Sequence, residues 1–409
     1  MVILPLYIQY FIIAVAAAFI SALSIPRLIM LAKLKKLYDL PDNHRKIHKD
    51  VTPNLGGVCI FFAYLIVASI FIDLTTFPKF NYLVAGTLVL FIAGVKDDII
   101  TLTPNKKFVS QILAAIIVVG IADIRIASLH GIFGIYELPD WISIGFTIVG
   151  CIFVTNAFNL IDGVDGLAGS LSSLCLLIIG TCLAIQGNFS AACIAFALMG
   201  AIIGFLKYNL APARIFMGDS GSLMIGFTIA ILSITLINNF REDNVLAEYI
   251  HSRQGALVIA LSVLFIPVFD SFRVILLRLF QGKHPFHADK THLHHYLLDL
   301  GFSHSHTTGI LVTANLLIIC VALLVQDYNP TMAIGAVLLV TIGLFSILYY
   351  MRKRHLAATE RLRLKTLAST KSQEDRKPEI TGVETQHNNS GVPMDTPVPA
   401  TALGKTLRS

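Results

Sequence analysis

The stretch N-A-F-N-L-I-D-G-V-D-G-L-A-G, residues 156–169, places two aspartates and three glycines between two long apolar segments. Asp162 and Asp165 would each cost about 2.5–3.5 kcal/mol at the centre of a membrane-spanning helix. Gly163 and Gly166 have no side chain, so a ligand can approach their backbone closely. The stretch therefore predicts a polar site at the junction of two apolar helices, an ordinary Asp-Gly turn being the alternative.

Apolar segments of about 20 residues recur along most of the chain on either side of this stretch. Of the 409 residues, 55% are hydrophobic and 14% are charged, whereas a soluble protein carries about 25% charged residues. Because about 20 helical residues cross a bilayer, we expect an all-α, polytopic integral membrane protein with about 11 transmembrane helices. The predicted spans are 5–30, 54–73, 81–95, 108–127, 140–158, 167–186, 189–206, 221–237, 255–279, 309–325 and 331–350.

Lysine and arginine are concentrated in the loops after the first, third, seventh and ninth spans. Cytoplasmic loops carry an excess of these residues, so the N-terminus is predicted to lie outside and the C-terminus in the cytoplasm. Two parts of the chain are expected. Residues 1–351 form a polytopic membrane catalytic domain, and residues 352–409 form a cytoplasmic tail whose Thr, Pro, Ser and Asn content predicts disorder.

Five polar clusters fall on the predicted cytoplasmic side of the membrane. Aspartate, asparagine and histidine were not used to set the orientation, so their one-sided placement predicts a single assembled cytoplasmic site. The clusters are His44–Gly57, Lys96–Asp98, Asn159–Asp165, Asn209–Ser222 and His284–His295.

Two of these clusters carry carboxylates at the ends of predicted spans. Asp97 and Asp98 are adjacent, and such a pair either holds a divalent cation, accepts a proton, or is merely solvated at a helix end. Asp219, in F-M-G-D-S-G-S, stands where the eighth span begins, and helix capping is its alternative role. A helix N-terminus also binds anions, so we expect a phosphate there beside the Asp219 carboxylate and its metal.

The Asn159–Asp165 cluster has a helical spacing. Asn159, Asp162, Gly163 and Gly166 would lie on one face of a helix. The segment also begins like the D-x-x-D-G signature of CDP-alcohol phosphotransferases, but Gly169 stands where that signature requires arginine.

Five histidines lie in H-P-F-H-A-D-K-T-H-L-H-H, residues 284–295. Zinc has little support because there is no cysteine partner and no H-E-x-x-H pattern. Imidazoles that bind phosphates beside Mg²⁺ suit the aspartate-rich surroundings better.

Asp270 lies within the ninth apolar segment. An acidic side chain inside a membrane-spanning segment usually has a function, and a simple ion pair with Arg273 is the alternative here.

In this combination, the motifs resemble the polyprenyl-phosphate N-acetylhexosamine-1-phosphate transferases (glycosyltransferase family 4). The resemblance covers about residues 5–350. It rests on Asp97-Asp98, N-x-x-D-G-x-D-G-L from Asn159, N-x-x-P-A-x-x-F-M-G-D-x-G-S from Asn209, P-V-x-D ending at Asp270, and D-x-x-H-x-H-H from Asp289.

The resemblance implies transfer of a sugar phosphate from a UDP-sugar to undecaprenyl phosphate, with release of UMP and the start of lipid-linked cell-envelope glycan synthesis. It implies Mg²⁺, with Mn²⁺ as an alternative, bound by Asp219 and Asn159, and Asp97 and Asp98 as candidate bases at the reacting phosphate. The implied substrate-binding residues are Lys49, Asp162, Gly163, Asp165, Asn209, Phe216, Asp270, His292, His294 and His295.

The donor sugar and the location follow from the same resemblance. Only two consecutive histidines precede Tyr296, which is similar to the GlcNAc-1-phosphate branch, with the phospho-MurNAc-pentapeptide transferase branch as the alternative. A transporter is the remote alternative, since no internal repeat is evident. We expect a multi-pass protein of the bacterial cytoplasmic (inner) membrane, with its site on the cytoplasmic face. The prenyl substrate is expected to lie in a groove near the ninth span. No nucleic-acid partner is expected, and a homodimer is left open.

Overall fold

The computed structural model describes residues 5–35, 52–75, 77–240, 245–283 and 291–374. These residues are mostly helical, and a helix coincides with every predicted span. The helices are α1 (Leu6–Lys35), α2 (Gly56–Phe71), α3 (Phe80–Ile99), α4 (Pro104–Ala115), α5 (Asp140–Leu160), α6 (Leu167–Ile185), α7 (Phe189–Asn209), α8 (Gly218–Asn238), α9 (Arg253–Val263), α10 (Phe265–Phe280), α11 (Leu293–Asp299), α12 (His304–Val325) and α13 (Pro330–Glu374).

Three short elements complete the described fold. A π-helical segment, Ile116–Ile121, continues α4, and a 3-10 turn, Val245–Glu248, precedes α9. Strands β1 (Ser128–Ile132) and β2 (Ile135–Glu137) form an antiparallel hairpin that the all-α prediction did not include.

Within the described residues, eight helices are long and apolar enough to cross a membrane, or nine if α9 and α10 count as one bent span. Helix α2 is apolar but has only 16 residues. The structure therefore agrees with a polytopic helical membrane protein, while the count of 11 spans stays a prediction. Large apolar side chains face outward on α1, as expected for contact with lipid; Tyr7, Phe11 and Phe19 are examples.

Helix α8 forms the centre of the bundle. Every residue from Ser220 to Ile237 is buried. The helix packs against α2, α3, α5, α6, α7 and α9. A helix that is apolar on all sides belongs in the core of a large protein, and α8 has that composition. Its N-terminal turn carries Asp219, so the fold places this carboxylate where several helices converge.

Two glycines allow α2 and α3 to approach the N-terminal turn of α8. A Cβ atom at Gly57 would overlap the backbone of Gly221, and one at Gly94 would overlap the backbone of Ser220. Any larger residue would push these helices apart, because packed interiors do not absorb such overlaps without strain. Gly94 therefore sets the distance between Asp97-Asp98, at the end of α3, and Asp219, while Gly57 sets the approach of α2 to α8.

The ninth predicted span is broken at Leu264, where α9 and α10 meet at a bend of 66°. Asn315 of α12 is fully buried beside the break. Its Nδ2 donates to the carbonyl of Val263 at 3.0 Å, and its Oδ1 accepts from the amide of Ile266 at 3.4 Å. A broken helix is tolerated at membrane depth where neighbouring groups satisfy its freed backbone, and Asn315 does this here.

Helix α13 continues to Glu374, so disorder beginning at residue 352 is wrong for residues 352–374. The sequence there is rich in Arg, Lys, Leu and Ala, which are strong helix formers. The chain divides into two units after Leu356, close to the boundary predicted at 351, and residues 357–374 are the described part of the second unit.

Candidate functional site

The site is built around Asp219 in the first turn of α8. The Nδ2 atom of Asn159, at the end of α5, donates to Asp219 Oδ1 at 2.8 Å and to the Ser222 hydroxyl at 2.8 Å. The ammonium of Lys107, in the first turn of α4, contacts Asp219 Oδ2 directly. Three helices therefore meet at one carboxylate, as the one-sided placement of the polar clusters predicted.

Asp97 joins this group through the same lysine. Its Oδ2 lies 3.6 Å from the Lys107 ammonium, and its Oδ1 accepts from the amide of Leu102 at 2.5 Å. About a fifth of each of the Asp97, Lys107 and Asp219 side chains is exposed, so solvent or a substrate can reach all three. We refer to Asp97, Lys107, Asn159 and Asp219 as the charged cluster.

Asp98 has a different role from its neighbour. Its Oδ1 accepts from the amide of Asp219 at 2.7 Å, and its Oδ2 accepts from the amide of Ser220 at 3.1 Å. The Asp98 carboxyl therefore engages two of the free amides at the N-terminus of α8. The phosphate expected from the sequence at this helix end stays a prediction. Asp98 lies outside the apolar span predicted at 81–95. Its burial, with a smaller contribution from the neighbouring Asp97 carboxylate, raises the pKa of Asp98 to about 7.

Gly218 makes this capping contact sterically feasible. Its φ is +73°, a conformation that glycine adopts readily. A Cβ atom at this position would also lie 2.6–2.7 Å from the Asp98 carboxylate oxygens. The glycine of the F-M-G-D motif is thus required for the contact between α3 and α8.

The charged cluster has the donor chemistry of a magnesium site. Carboxylate and amide oxygens are hard ligands that suit Mg²⁺, which keeps several waters and commonly binds substrate phosphates as well. Asp219 supplies a carboxylate, and rotating the amide of Asn159 would turn its oxygen toward Asp219. Within the described ranges, no three His, Cys, Asp or Glu side chains form a group that would hold a metal by themselves. The residues therefore fit an ion that takes its remaining ligands from substrate and water.

The loop between α5 and α6 lies beside the charged cluster. Asp162, in this loop, is partly buried; burial, reinforced by the nearby Asp98 carboxylate, raises its pKa to about 8. Gly163 is exposed, and a Cβ atom placed on it would lie 2.9 Å from Nε2 of His294. The structure thus brings the histidine segment against the glycine-rich loop that the sequence singled out.

Asp165 and Asn209 hold neighbouring segments together. Asp165 Oδ2 accepts from the amide of Ala213 at 3.1 Å, and its Oδ1 lies 3.3 Å from Nδ1 of His304. Asn209 is buried; its Oδ1 accepts from the amide of Gly166, and its Nδ2 donates to the carbonyl of Ile215, both at 2.9 Å. Both side chains therefore position the loop, and their predicted contact with substrate stays a prediction.

The histidine segment is described from Thr291 onward. His292 and His294 are buried, and their rings are nearly parallel, with their centroids 5.7 Å apart. The His294 and His295 rings lie 4.3 Å apart. Burial, with a contribution from His295, lowers the pKa of His294 to about 3. His294 is therefore neutral at physiological pH and acts as a hydrogen-bonding group, since it carries no charge to pair with a phosphate.

Phe216 and the segment before α2 border the same site. The amide of Phe216 donates to the carbonyl of Pro53 at 2.9 Å, and the amide of Gly56 donates back to the carbonyl of Phe216 at 2.9 Å. The Phe216 side chain is 39% exposed, so it is available to a ligand. Lys49, predicted to bind substrate, lies outside the described residues.

Sequence reasoning missed several residues of the site. Lys107 served only to predict the orientation, although its position nine residues after Asp98 was a usable signal. Gln111 and Asn156 form a reciprocal amide pair, with N–O distances of 3.0 and 2.8 Å, one turn from Lys107 and Asn159. His304, beside Asp165, had no signal in the sequence beyond its residue type.

Comparison with known proteins adds an independent line of support. The sequence matches the profile of glycosyl transferase family 4 over residues 80–237, the stretch that holds the charged cluster. A Bacillus subtilis (strain 168) protein named "Probable undecaprenyl-phosphate N-acetylglucosaminyl 1-phosphate transferase" is 33% identical over 269 residues, which is 65% of this chain and 71% of the relative.

Relatives from other bacteria give similar values. A Yersinia pestis protein named "Undecaprenyl-phosphate alpha-N-acetylglucosaminyl 1-phosphate transferase" is 32% identical over 290 residues, 68% of this chain and 73% of the relative. A Mycobacterium tuberculosis (strain H37Rv) protein named "Decaprenyl-phosphate N-acetylglucosaminephosphotransferase" is 33% identical over 288 residues, 66% of this chain and 70% of the relative.

Proposed function

Because this chain belongs to glycosyl transferase family 4, we propose that it transfers GlcNAc-1-phosphate from UDP-GlcNAc to undecaprenyl phosphate and releases UMP. The observation that carries the proposal is the charged cluster: two carboxylates, a lysine and an amide meet at the N-terminus of the buried α8. The names of the relatives support GlcNAc as the sugar and a polyprenyl phosphate as the acceptor.

The reaction explains why such a cluster is needed. An oxygen of the acceptor phosphate attacks the phosphorus that carries the sugar, and the bond from that phosphorus to UMP breaks. Donor and acceptor are both anions, so catalysis depends on positioning and on neutralising charge where it develops. Mg²⁺ held by Asp219 and Asn159 would supply part of that neutralisation.

The remaining members of the cluster have separate roles in this scheme. Lys107 provides a fixed positive charge between Asp97 and Asp219. Asp97 is the candidate base for the acceptor phosphate, because it is partly exposed and faces Lys107. Asp98 is engaged by two backbone amides, so we assign it to holding α8 in place.

The donor nucleotide would lie against the loop between α5 and α6. Gly163 is exposed and leaves backbone open to a ligand, while Phe216 presents an exposed aromatic ring. His294, neutral and adjacent to Gly163, is placed to share a hydrogen bond with a phosphate or a sugar hydroxyl. These contacts fit a UDP-sugar, which offers a ring to stack and several acceptors.

The prenyl chain of the acceptor requires an apolar path. A cavity of about 310 Å³ lies between α5, α8 and the bent pair α9–α10. Phe153, Ala230, Leu264, Phe265 and Val268 are among its almost wholly apolar lining. We propose that this cavity receives part of the prenyl chain, in line with the groove expected near the ninth span.

The proposed location is the bacterial cytoplasmic membrane, with the charged cluster on the cytoplasmic face and the N-terminus outside. The apolar helices support a multi-pass membrane protein. Homodimerisation stays a prediction, which the mass of the purified protein–detergent complex would decide.

The direct test is to incubate the detergent-purified protein with radiolabelled UDP-GlcNAc, undecaprenyl phosphate and Mg²⁺. We expect labelled lipid from the wild type, dependent on Mg²⁺, and none from Asp219→Ala or Asp97→Asn. Label from UDP-GalNAc or UDP-MurNAc-pentapeptide, with none from UDP-GlcNAc, would correct the sugar. A folded wild type that is silent with every donor would refute the transferase.

A further inference from the structure

Asp270 is a buried carboxylate that the proposed chemistry does not use. It lies on α10, six residues after the break at Leu264, and is 1% exposed. A charge at this depth requires partners, because an unpaired buried carboxylate is strongly destabilising. The identity of those partners indicates what Asp270 does.

All of its described partners belong to α10 or to the histidine segment. Asp270 Oδ1 accepts from an Nη of Arg273 at 2.7 Å and from the amide of Leu293 at 3.1 Å. Its Oδ2 lies 2.9 Å from Nδ1 of His292. The same Arg273 also donates to the carbonyl of Thr291. Asp270 and its partner Arg273 thus together hold three consecutive residues, 291–293.

The contact with Leu293 is a helix cap supplied from another helix. Leu293 is the first residue of α11, and the His292 side chain at the N-cap position makes no capping hydrogen bond. The Asp270 carboxylate satisfies the first free amide of α11 instead and places a negative charge at that helix N-terminus. The start of α11, and therefore the orientation of His294 and His295, depends on Asp270.

His294 connects residues 291–293 to the candidate donor site. Its ring stacks on that of His292, and its Nε2 lies against Gly163. A displacement of residues 291–293 would therefore move His294 relative to the loop between α5 and α6. Asp270 itself contacts no residue of the charged cluster in the described structure, so any effect on chemistry is indirect.

The opposite end of α10 borders the apolar cavity. Leu264, Phe265 and Val268 line it. Helix α10 rises only about 9 Å between Leu264 and Asp270, at 1.5 Å per residue. The bend is held by Asn315, so the first two turns of α10 are a short rigid element between the cavity and the histidine segment.

We propose that Asp270 is a positioning residue that couples occupancy of the apolar cavity by the acceptor chain to the placement of His294 in the donor site. The proposal rests on the function proposed above. A prenyl chain packed against Leu264, Phe265 and Val268 would favour one position of α10. Because Asp270 of α10 holds residues 291–293, these residues would then move with the helix. Such coupling needs only that the bound chain favour one of two arrangements of a contiguous packed element.

The test compares an acceptor with a long prenyl chain, undecaprenyl phosphate, and one with a short prenyl chain, farnesyl phosphate, in wild type, Asp270→Asn and Asp270→Ala. For the wild type we expect a higher kcat with the long-chain acceptor. For Asp270→Asn we expect the ratio of the two kcat values to fall about tenfold or more, because a charge-assisted contact is lost. The long-chain kcat should fall more than the farnesyl phosphate kcat, while KM for each acceptor should stay within about threefold of the wild-type value.

The ratio separates positioning from a loss of folded protein, since fewer active molecules lower both rates equally. Asp270→Asn keeps the shape of the side chain and tests the proposal even where Asp270→Ala does not fold. Ser271→Ala is the matched control: the Ser271 hydroxyl is buried in the same turn of α10 and makes no hydrogen bond within the described residues. We expect this control to keep the wild-type ratio.

Three results would overturn the coupling: a wild type whose kcat does not depend on chain length, an Asp270→Asn variant with an unchanged ratio, or a Ser271→Ala variant with the same loss. Each of these requires an active wild type. A wild type that is silent with both acceptors would instead refute the proposed transfer reaction itself.

Discussion

Replacing Lys107 with methionine removes the positive charge of the cluster while keeping a side chain of similar length. The Lys107 ammonium lies 3.6 Å from Asp97 Oδ2, and Coulomb's law at an effective dielectric constant of about 20 gives about 4–5 kcal/mol for that pair. About a fifth of each side chain is exposed, so solvent screening reduces this interaction energy by about half, to roughly 2–3 kcal/mol. If Lys107 stabilises the negative charge of the transition state to that extent, kcat falls about 30- to 150-fold.

The metal dependence of the same variant gives a second, opposite effect. Lys107 repels a divalent cation bound at Asp219, so Lys107→Met should lower the Mg²⁺ concentration that gives half-maximal activity. The assay is the radiolabelled transfer reaction, run across a series of Mg²⁺ concentrations at saturating UDP-GlcNAc. Lys106→Met, at the exposed neighbouring position, is the matched control and should behave as the wild type.

A Lys107→Met enzyme with kcat within threefold of the wild type would refute the role of this charge in the chemistry. A variant that lost activity while needing more Mg²⁺ would show that Lys107 supports the metal site, contrary to our reasoning.

Three further predictions concern stability and can be measured on purified protein. Gly57→Ala should lower the free energy of unfolding by about 1–3 kcal/mol or more, because the added Cβ overlaps the α8 backbone. Gly145→Ala, which adds its Cβ in open space, should melt at the wild-type temperature, and the same melting temperature for Gly57→Ala would contradict the packing. Asp162→Asn should melt higher than the wild type in EDTA, by a margin that grows from pH 4 to 8. The pKa of Asp162 is raised to about 8 in the folded state, so over this interval the unfolded state ionises while the folded carboxyl stays protonated, and the wild type loses stability as the pH rises; a constant margin would refute this. Gln111→Leu and Asn156→Leu should each lower the free energy of unfolding in detergent by about 1–3 kcal/mol, because each leaves the other amide unpaired. The double variant should lose at least about 1 kcal/mol less than the sum of the two single losses, and strictly additive losses would exclude the reciprocal pair.

The sequence predicted the helical membrane fold and the convergence of the polar clusters because both follow from one-dimensional patterns. Apolar length located a helix at every predicted span, and the bias of lysine and arginine predicted that the clusters share one side of the membrane. Asp219 and Asn159, 60 residues apart, meet through a hydrogen bond of 2.8 Å, while the metal-binding role that the resemblance implies for them stays a prediction.

The separate roles of the adjacent aspartates could not be read in the same way. Asp97 and Asp98 are neighbours on α3, and only the packing of α3 against α8 decides which of them caps the α8 N-terminus. The break at Leu264 was hidden within a continuous apolar run, since the groups that satisfy it belong to Asn315, about 50 residues later. Such long-range partners leave no local pattern in the sequence.

The burial of α8 has a consequence for the biogenesis of the protein. Each neighbour of this helix is a piece of the same chain, and α9, which closes one side of it, is synthesised after α8 has left the ribosome. While α9 is still missing, α8 has an uncovered flank that only lipid or an insertion factor can shield. The turn that carries Asp219 reaches its final surroundings after the later helices arrive, so a nascent chain truncated before α9 should insert into the membrane but remain inactive.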